Sequence, residues 1–303
     1  MARADRAYGA DMATTGRETG RETALVTGAS RGIGRATALA LAEVGYDVAF
    51  TARTAHEGEG TVAARTSREV GVSHQVAGSL ATTAAEIEAR GVRALPLRMD
   101  LTDAAAPARV AGQLLETWGA PHVLVSNAVH HVPHARFLEL DLGALRESLD
   151  ANLVHQVALV QALLPAMVDA GGGVIANMCS GSATLDPPAP PGEGGWGLAY
   201  AAAKAAFGRI AGAVNAEFRE AGIRAFNLEP GFVVTESGRA RGGTEEIEAR
   251  AVAGSSIDAS GRVIAWLAAS DPDDAEVNAL LGTVIAAPRL AGRLAGRLAG
   301  RLA

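Results

Sequence analysis

The feature that most constrains this chain is a glycine-rich turn, Thr27-Gly28-Ala29-Ser30-Arg31-Gly32-Ile33-Gly34, set between an apolar run and a helical pattern. Residues 23–27 read as a short strand, residues 32–44 carry helical periodicity, and residues 47–51 read as a second strand. Strand, turn, helix and strand make a βαβ opening. Its glycines let the backbone approach a pyrophosphate, and the helix N-terminus offers unpaired N–H groups to an anion. Alone, these eight residues would be an ordinary glycine-rich turn. Their position directly after the first strand argues for nucleotide binding.

Further strands read at 94–99, 122–126, 173–178, 223–228 and 281–286, separated by helix-length segments rich in Ala, Leu and Val. Strand and helix in alternation predict a single α/β domain over 23–288, a doubly wound parallel sheet of the Rossmann type. Residues 54–78 hold few large apolar side chains and read as an insertion after the second strand. Residues 181–199 carry Pro187, Pro188, Pro190 and Pro191, which predicts a long substrate loop. Residues 235–251 read as a substrate lid, in which Glu245, Glu246 and Glu248 form a solvated face. The tail, 289–303, repeats Ala-Gly-Arg-Leu, and a glycine in each unit predicts a low-complexity, frayed end. Residues 1–22 lack an apolar signal core and read as a disordered leader, with Met12 an alternative start.

A formal charge of -6 gives no basic field for nucleic acid. The one cysteine, Cys179, closes no disulfide within the chain, so a cytoplasmic location is the default. The longest apolar stretch, 157–168, is broken by Gln161 and Pro165 and reads as a core helix, with no membrane partner expected.

Chemistry concentrates late in the chain. Lys204 is the only lysine among 27 Lys and Arg residues, four positions after Tyr200. On a helix that spacing puts phenol and ammonium on one face, and an ammonium beside a phenol lowers the phenol pKa toward a working range. Ser180 ends a strand reading, at the sheet edge where ligands bind, and can hold a developing oxyanion; Ser182 is its local competitor. Cys179 reads as a buried small residue. The position that carries an acid in NAD-binding folds reads Thr51-Ala52-Arg53, so Arg53 with Arg31 predicts a 2′-phosphate site and NADP(H), with NAD(H) the alternative. His130, His131 and His134 lie close in sequence without a carboxylate to complete a ligand set, so no metal is expected.

These residues resemble the classical short-chain dehydrogenase/reductase family from about Thr23 to Ala286. The turn Gly28, Ser30, Arg31, Gly32, Ile33 and Gly34 resembles its cofactor-binding element, and Asp100 and Leu101 the part that meets adenine. Asn127 and Ala128 fall in Ser126-Asn127-Ala128-Val129, similar to the family's Asn-Asn-Ala-Gly stretch, with two of the four residues different. Pro230, Gly231, Val233 and Thr235 resemble the later Pro-Gly segment at the nicotinamide and phosphates.

The resemblance implies a small carbonyl or alcohol substrate. Tyr200 would be general acid or base, Lys204 would tune it and hold the nicotinamide ribose, Ser180 would position the substrate oxygen, and Asn152 would anchor a water in a proton relay. It also implies a homo-oligomer, dimer or tetramer. The alternatives are an NADP(H)-binding sensor without turnover, and a lyase or isomerase on the same site.

Overall fold

The structure is a computed structural model and describes residues 20–69, 71–242 and 256–299. Its centre is a seven-stranded sheet in which every neighbouring pair is parallel. In chain order its strands are β1 (Thr23–Val26), β2 (Asp47–Ala52), β5 (Ala94–Arg98), β6 (Val123–Ser126), β7 (Gly173–Met178), β8 (Ile223–Glu229) and β9 (Val284–Ala286). The remaining two, β3 (Thr61–Ala63) and β4 (Ser73–Gln75), form a separate antiparallel pair. Across the sheet the order is β5-β2-β1-β6-β7-β8-β9. The chain moves outward from β1 on one side and then returns to lay β6 on the other. That reversal opens a crevice beyond the carboxyl ends of β1 and β6, where an open parallel sheet leaves room for a ligand.

The helices are α1 (Gly32–Glu43), α2 (Leu80–Glu88), α3 (Ala106–Trp118), α4 (Leu142–Leu149), α5 (His155–Asp169), α6 (Leu198–Phe207), α7 (Ile210–Phe218), α8 (Glu236–Arg241), α9 (Ala259–Ala269), α10 (Ala275–Asn278) and α11 (Ala287–Ala299). Alternation along the strands sorts the core into two layers. Ala24, Val26, Phe50, Val125 and Phe226 pack in one layer with Leu41, Ile264 and Leu290 of α1, α9 and α11. Leu25, Ala49, Leu124 and Ile175 pack in the other with Leu114, Leu163 and Val214 of α3, α5 and α7. The predicted doubly wound sheet is therefore the observed one.

Four segments differ from expectation or add to it. The insertion carries the β3-β4 hairpin, whose ends return to the body of the domain. The tail is helical to Ala299, because Leu290, Ala291 and Leu294 are buried against α9. Burying two leucines is worth roughly 1.5–3 kcal/mol each, enough to outweigh about 1 kcal/mol for each helical glycine. The proline-rich loop contains a short 3-10 turn, Gly181–Ala183, and a bridge between Pro191 and Gly195. Finally, α4 passes through a π-turn, Asp150–Val154, into α5, so Leu142–Asp169 is one helix of 28 residues, with an 18-residue window of mean hydropathy 1.4. By length and composition alone it could cross a bilayer. Leu159, Leu163 and Met167 are buried in the domain core, the placing of a core helix. The leader through residue 19, the lid beyond Gly242 with Glu245, Glu246 and Glu248, and the tail beyond Ala299 lie outside the described residues.

Candidate active site

The glycine turn is held by close approach. Gly28 has φ +69°, and a Cβ there would stand 2.7 Å from Ala128 Cα. A Cβ on Gly34 would stand 2.3 Å from Gly28 O and 2.4 Å from Asn127 Nδ2. No larger residue fits either place without moving backbone. Thr27 Oγ1 accepts from the backbone N–H groups of Asn127 and Ala128, both at 2.9 Å, which ties the end of β1 to the end of β6. Asn127 Nδ2 returns the tie by donating to Thr27 O at 2.9 Å and Gly28 O at 3.2 Å. At the start of α1, Gly32 N donates to the Glu236 carboxylate at 2.9 Å.

Beyond this turn lies a cleft of about 790 Å³. Gly28, Ser30, Arg31, Gly32, Ile33, Gly34, Arg53, Asp100, Leu101, Asn127, Ala128 and Thr235 all line it, so most of the predicted cofactor residues come together. Pro230, Gly231 and Val233 do not line it, nor do Asn152, Ser180, Tyr200 and Lys204. Asp100 Oδ1 is engaged locally, accepting from Thr102 N and Oγ1. Gly231 N donates to Glu229 Oε1, and Thr235 caps α8 by accepting from Gly238 N at 3.2 Å.

The second group stands at the carboxyl end of β7. Tyr200, on the first turn of α6, has Ser180 as the polar neighbour that acts to lower its pKa. Ser180 Oγ accepts from Ser182 Oγ at 3.0 Å and Ser182 N at 3.3 Å. Of the two serines, Ser180 is therefore the one that meets the phenol, and Ser182 steadies it. One turn further along α6, Lys204 is buried and donates to Met178 O at 2.7 Å. Burial pushes its pKa from 10.5 down to about 8. Cys179 is buried between them, and burial lifts its thiol to about 11.

The expected electrostatics of the pair is not what this arrangement gives. The Tyr200 pKa is raised, chiefly by burial, while Ser180 pulls the other way and Cys179 and Glu229 raise it further. Lys204 is not among the groups that shift it: its own pKa falls to about 8, so the amine is already neutral where the raised phenol would ionise. Arg31 lines the cleft but has partners of its own. It donates through Nε to Ala77 O at 2.7 Å and through Nη2 to Gly78 O at 2.6 Å and Thr54 Oγ1 at 3.1 Å, so its fork serves the insertion. Arg53 is exposed at the end of β2.

Asn152 sits in the π-turn, 3% exposed, and clamps the segment after β6. Its Oδ1 accepts from His130 N at 2.7 Å and its Nδ2 donates to His130 O at 2.9 Å. The widened helical turn aims this amide at the loop.

Three histidines follow. His130 Nε2 meets Glu147 Oε1 at 2.7 Å, the His131 and His134 rings stand 5.0 Å apart, and His134 stands 5.9 Å from the Tyr200 ring. His131 also faces the cleft, so these rings connect the cleft wall to the phenol. Burial, with neighbouring cations second, pushes His131 to about 2 and His134 to about 4, so both are neutral near pH 7. Among the described residues no group of three or more His, Cys, Asp or Glu is gathered for a metal.

The insertion is fastened to this loop, since His134 N donates to Arg65 O and Ser67 N donates to His134 O. Sequence reasoning passed over Glu236 and Arg241 as single residues and weighed His134 only as a metal ligand. Glu236 directly follows Thr235 in the Pro-Gly segment, which was the one available signal; Arg241 carries none.

A family model described as short chain dehydrogenase matches residues 22–76 and 60–246. A short chain dehydrogenase of Pseudocercospora fijiensis is 31% identical over 216 residues, 70% of this chain. The chain spans 59% of that relative's length. The L-rhamnose 1-dehydrogenase (NAD(P)(+)) of a Sphingomonas species is 31% identical over 210 residues, 69% of this chain and 71% of the relative. A metagenomic short-chain oxidoreductase solved in complex with NADP is similar in structure, with TM-score 0.65 and 25% identity, covering 88% of this chain and 96% of that one.

Proposed function

This chain belongs to the short-chain dehydrogenase/reductase family of NAD(P)-dependent oxidoreductases, and from that membership we propose an NADP(H)-dependent enzyme interconverting a ketone or aldehyde with an alcohol. The observation that carries this reading is the gathering of Ser180 just past the carboxyl end of β7, Tyr200 on the first turn of α6, and Lys204 one turn on, its ammonium bonded to Met178 O of the same strand.

The cleft over the glycine turn fits a dinucleotide in volume and in its lining. Ser30, Ile33 and the start of α1 would offer N–H groups to the diphosphate, Gly32 doing so on release from Glu236, while Asp100 and Leu101 would meet the adenine and Asn127 and Ala128 the ribose. A nicotinamide cofactor supplies or accepts the hydride. Tyr200 gives its proton to the carbonyl oxygen in reduction and takes it back in oxidation. Ser180 donates to the same oxygen as charge grows on it, and is held for that by Ser182. Burial keeps Tyr200 protonated, which suits the acid role in reduction. Lys204, anchored on Met178 O, would hold the nicotinamide ribose, and Asn152 fixes the loop at His130.

The Sphingomonas relative is named for a sugar, so the assay panel joins aldoses to ketones, aldehydes and quinones. NADPH absorbance falls with a panel member in the wild type and stays constant in Tyr200→Phe. NADPH binding without turnover across the panel overturns the reading in favour of a sensor. An apolar groove of about 700 Å³ between α5 and α7, lined by Val157, Leu164 and Ile210, supports assembly as a homo-oligomer, which light scattering resolves into dimer or tetramer.

A further inference from the structure

The two arginines that the sequence offers to a phosphate do not share that work. Arg31 is committed to Ala77 O, Gly78 O and Thr54 Oγ1. The seat is closed around it, since a Cβ on Gly60 would stand 2.6 Å from its Nη2. Arg53 makes no hydrogen bond or ion pair among the described residues.

A third guanidinium reaches the same cleft from the far end of α8. Arg241 donates through Nε to Ala63 O at 3.1 Å, which leaves its Nη groups unbonded among the described residues. No described carboxylate answers its charge. Burial pushes its pKa down to about 10, and the next contributions, in order, are repulsion from Arg53 and from Arg31. A half-buried cation with two cationic neighbours and no acid among the described residues is held at a cost that an anion in the cleft removes.

We propose that Arg241 and Arg53 together seat the ester phosphate on the adenosine ribose, while Arg31 is a structural tie of the insertion. The inference rests on the NADP(H) reading and deepens it by naming the second phosphate residue. Position separates this phosphate from the diphosphate. Arg53 ends the second strand, where the ribose hydroxyls lie in this kind of fold, whereas the diphosphate belongs to the N-terminus of α1. Arg53 is also the stronger of the two cationic neighbours of Arg241. Two guanidinium forks on one phosphate give the directed, charge-assisted bonds that a single exposed arginine does not.

The test is fluorescence titration of the full chain with NADPH and NADH, and calorimetry with 2′,5′-ADP and ADP, for the wild type, Arg53→Gln, Arg241→Gln and the double variant. Arg241→Gln is expected to weaken NADPH and 2′,5′-ADP about tenfold, roughly 1.4 kcal/mol, and to change NADH and ADP less than about twofold. The double variant is expected to lose less than the product of the single losses, as partners on one group do.

Equal weakening of NADPH and NADH by Arg241→Gln would place Arg241 on the diphosphate and overturn the assignment. If Arg53→Gln alone shifts the NADPH:NADH ratio, the NADP(H) reading stands and the role of Arg241 falls. If neither variant shifts it, both fall. A second measurement needs no variant: phenylglyoxal labelling of the native chain, mapped by mass spectrometry, should be blocked at Arg241 by NADPH and not by NADH. Equal labelling with both cofactors refutes the proposal.

Discussion

Lys204→Met should make the folded protein more stable at pH 7 while removing the activity. Lys204 is 5% exposed, its ammonium donates to Met178 O, and it stands 4.9 Å from the Phe207 ring centroid. Burial dominates its titration and brings the pKa from 10.5 to about 8, against a smaller opposing pull from Cys179. At pH 7 the amine is charged in both folded and unfolded chains, so the folded state bears the full desolvation cost. The displacement corresponds to about 3 kcal/mol at roughly 1.4 kcal/mol per pH unit. As pH rises through about 8 the folded chain releases the proton while the unfolded chain keeps it until about 10.5. Wild-type stability therefore climbs across that window, is fully regained above it, and is lost again as pH falls through about 8.

Methionine carries no charge and fills a similar volume. It forfeits the bond to Met178 O, worth about 1.5–3 kcal/mol for a charged donor, so a net gain of about 1 kcal/mol at pH 7 is expected and should vanish by pH 10. Urea unfolding followed by tryptophan fluorescence, at pH 7 and pH 10 and one protein concentration, reads both values. A variant that is less stable at pH 7 by the same margin as at pH 10 would refute the reasoning, because the ammonium would then carry no net burial cost.

Gly34→Ala forces a Cβ against Gly28 O and Asn127 Nδ2. Strain and the loss of Asn127 bonds should cost about 2–4 kcal/mol, seen as a lower Tm together with weaker dinucleotide binding; an unchanged Tm would show that the turn has room to spare. Glu236→Gln removes a carboxylate from the N–H of Gly32, where the diphosphate is expected. It should tighten NADPH and NADH alike, about three- to tenfold at low salt and less at high salt, and equal affinities at low salt would show that Glu236 stands clear of the cofactor.

What the sequence made legible, and what it hid, divides by the range of the interaction. The glycine turn, the doubly wound sheet and the positions of its seven strands follow from local period and turn chemistry, with β9 starting three residues later than read. Ser180, Tyr200 and Lys204 were likewise readable as a set, since the end of β7 and the first turns of α6 carry them. The direction in which Lys204 points was not readable, because Met178 O competes with the phenol for its proton and no spacing rule weighs a carbonyl 26 residues away. The helical tail was hidden for a related reason: its glycines argue against a helix locally, and only the face of α9 supplies the burial that reverses the balance.

The insertion extends the same logic to the site as a whole. Its backbone carbonyls hold Arg31 at Ala77 and Gly78, Arg241 at Ala63, and the histidine loop through Arg65, three attachments to three separate parts of the domain. A long cationic side chain takes whichever acceptors the fold brings within reach, and the hairpin brings them. Arg31 thereby lines the cleft with its fork already engaged, and the terminal arginine of α8 is tied to the hairpin in the same cleft as Arg53. The segment with the least apolar sequence thus decides which cations remain available to a phosphate. For that reason, cofactor choice in this chain should track the contacts of residues 60–78 as closely as it tracks the identity of the residue that ends β2.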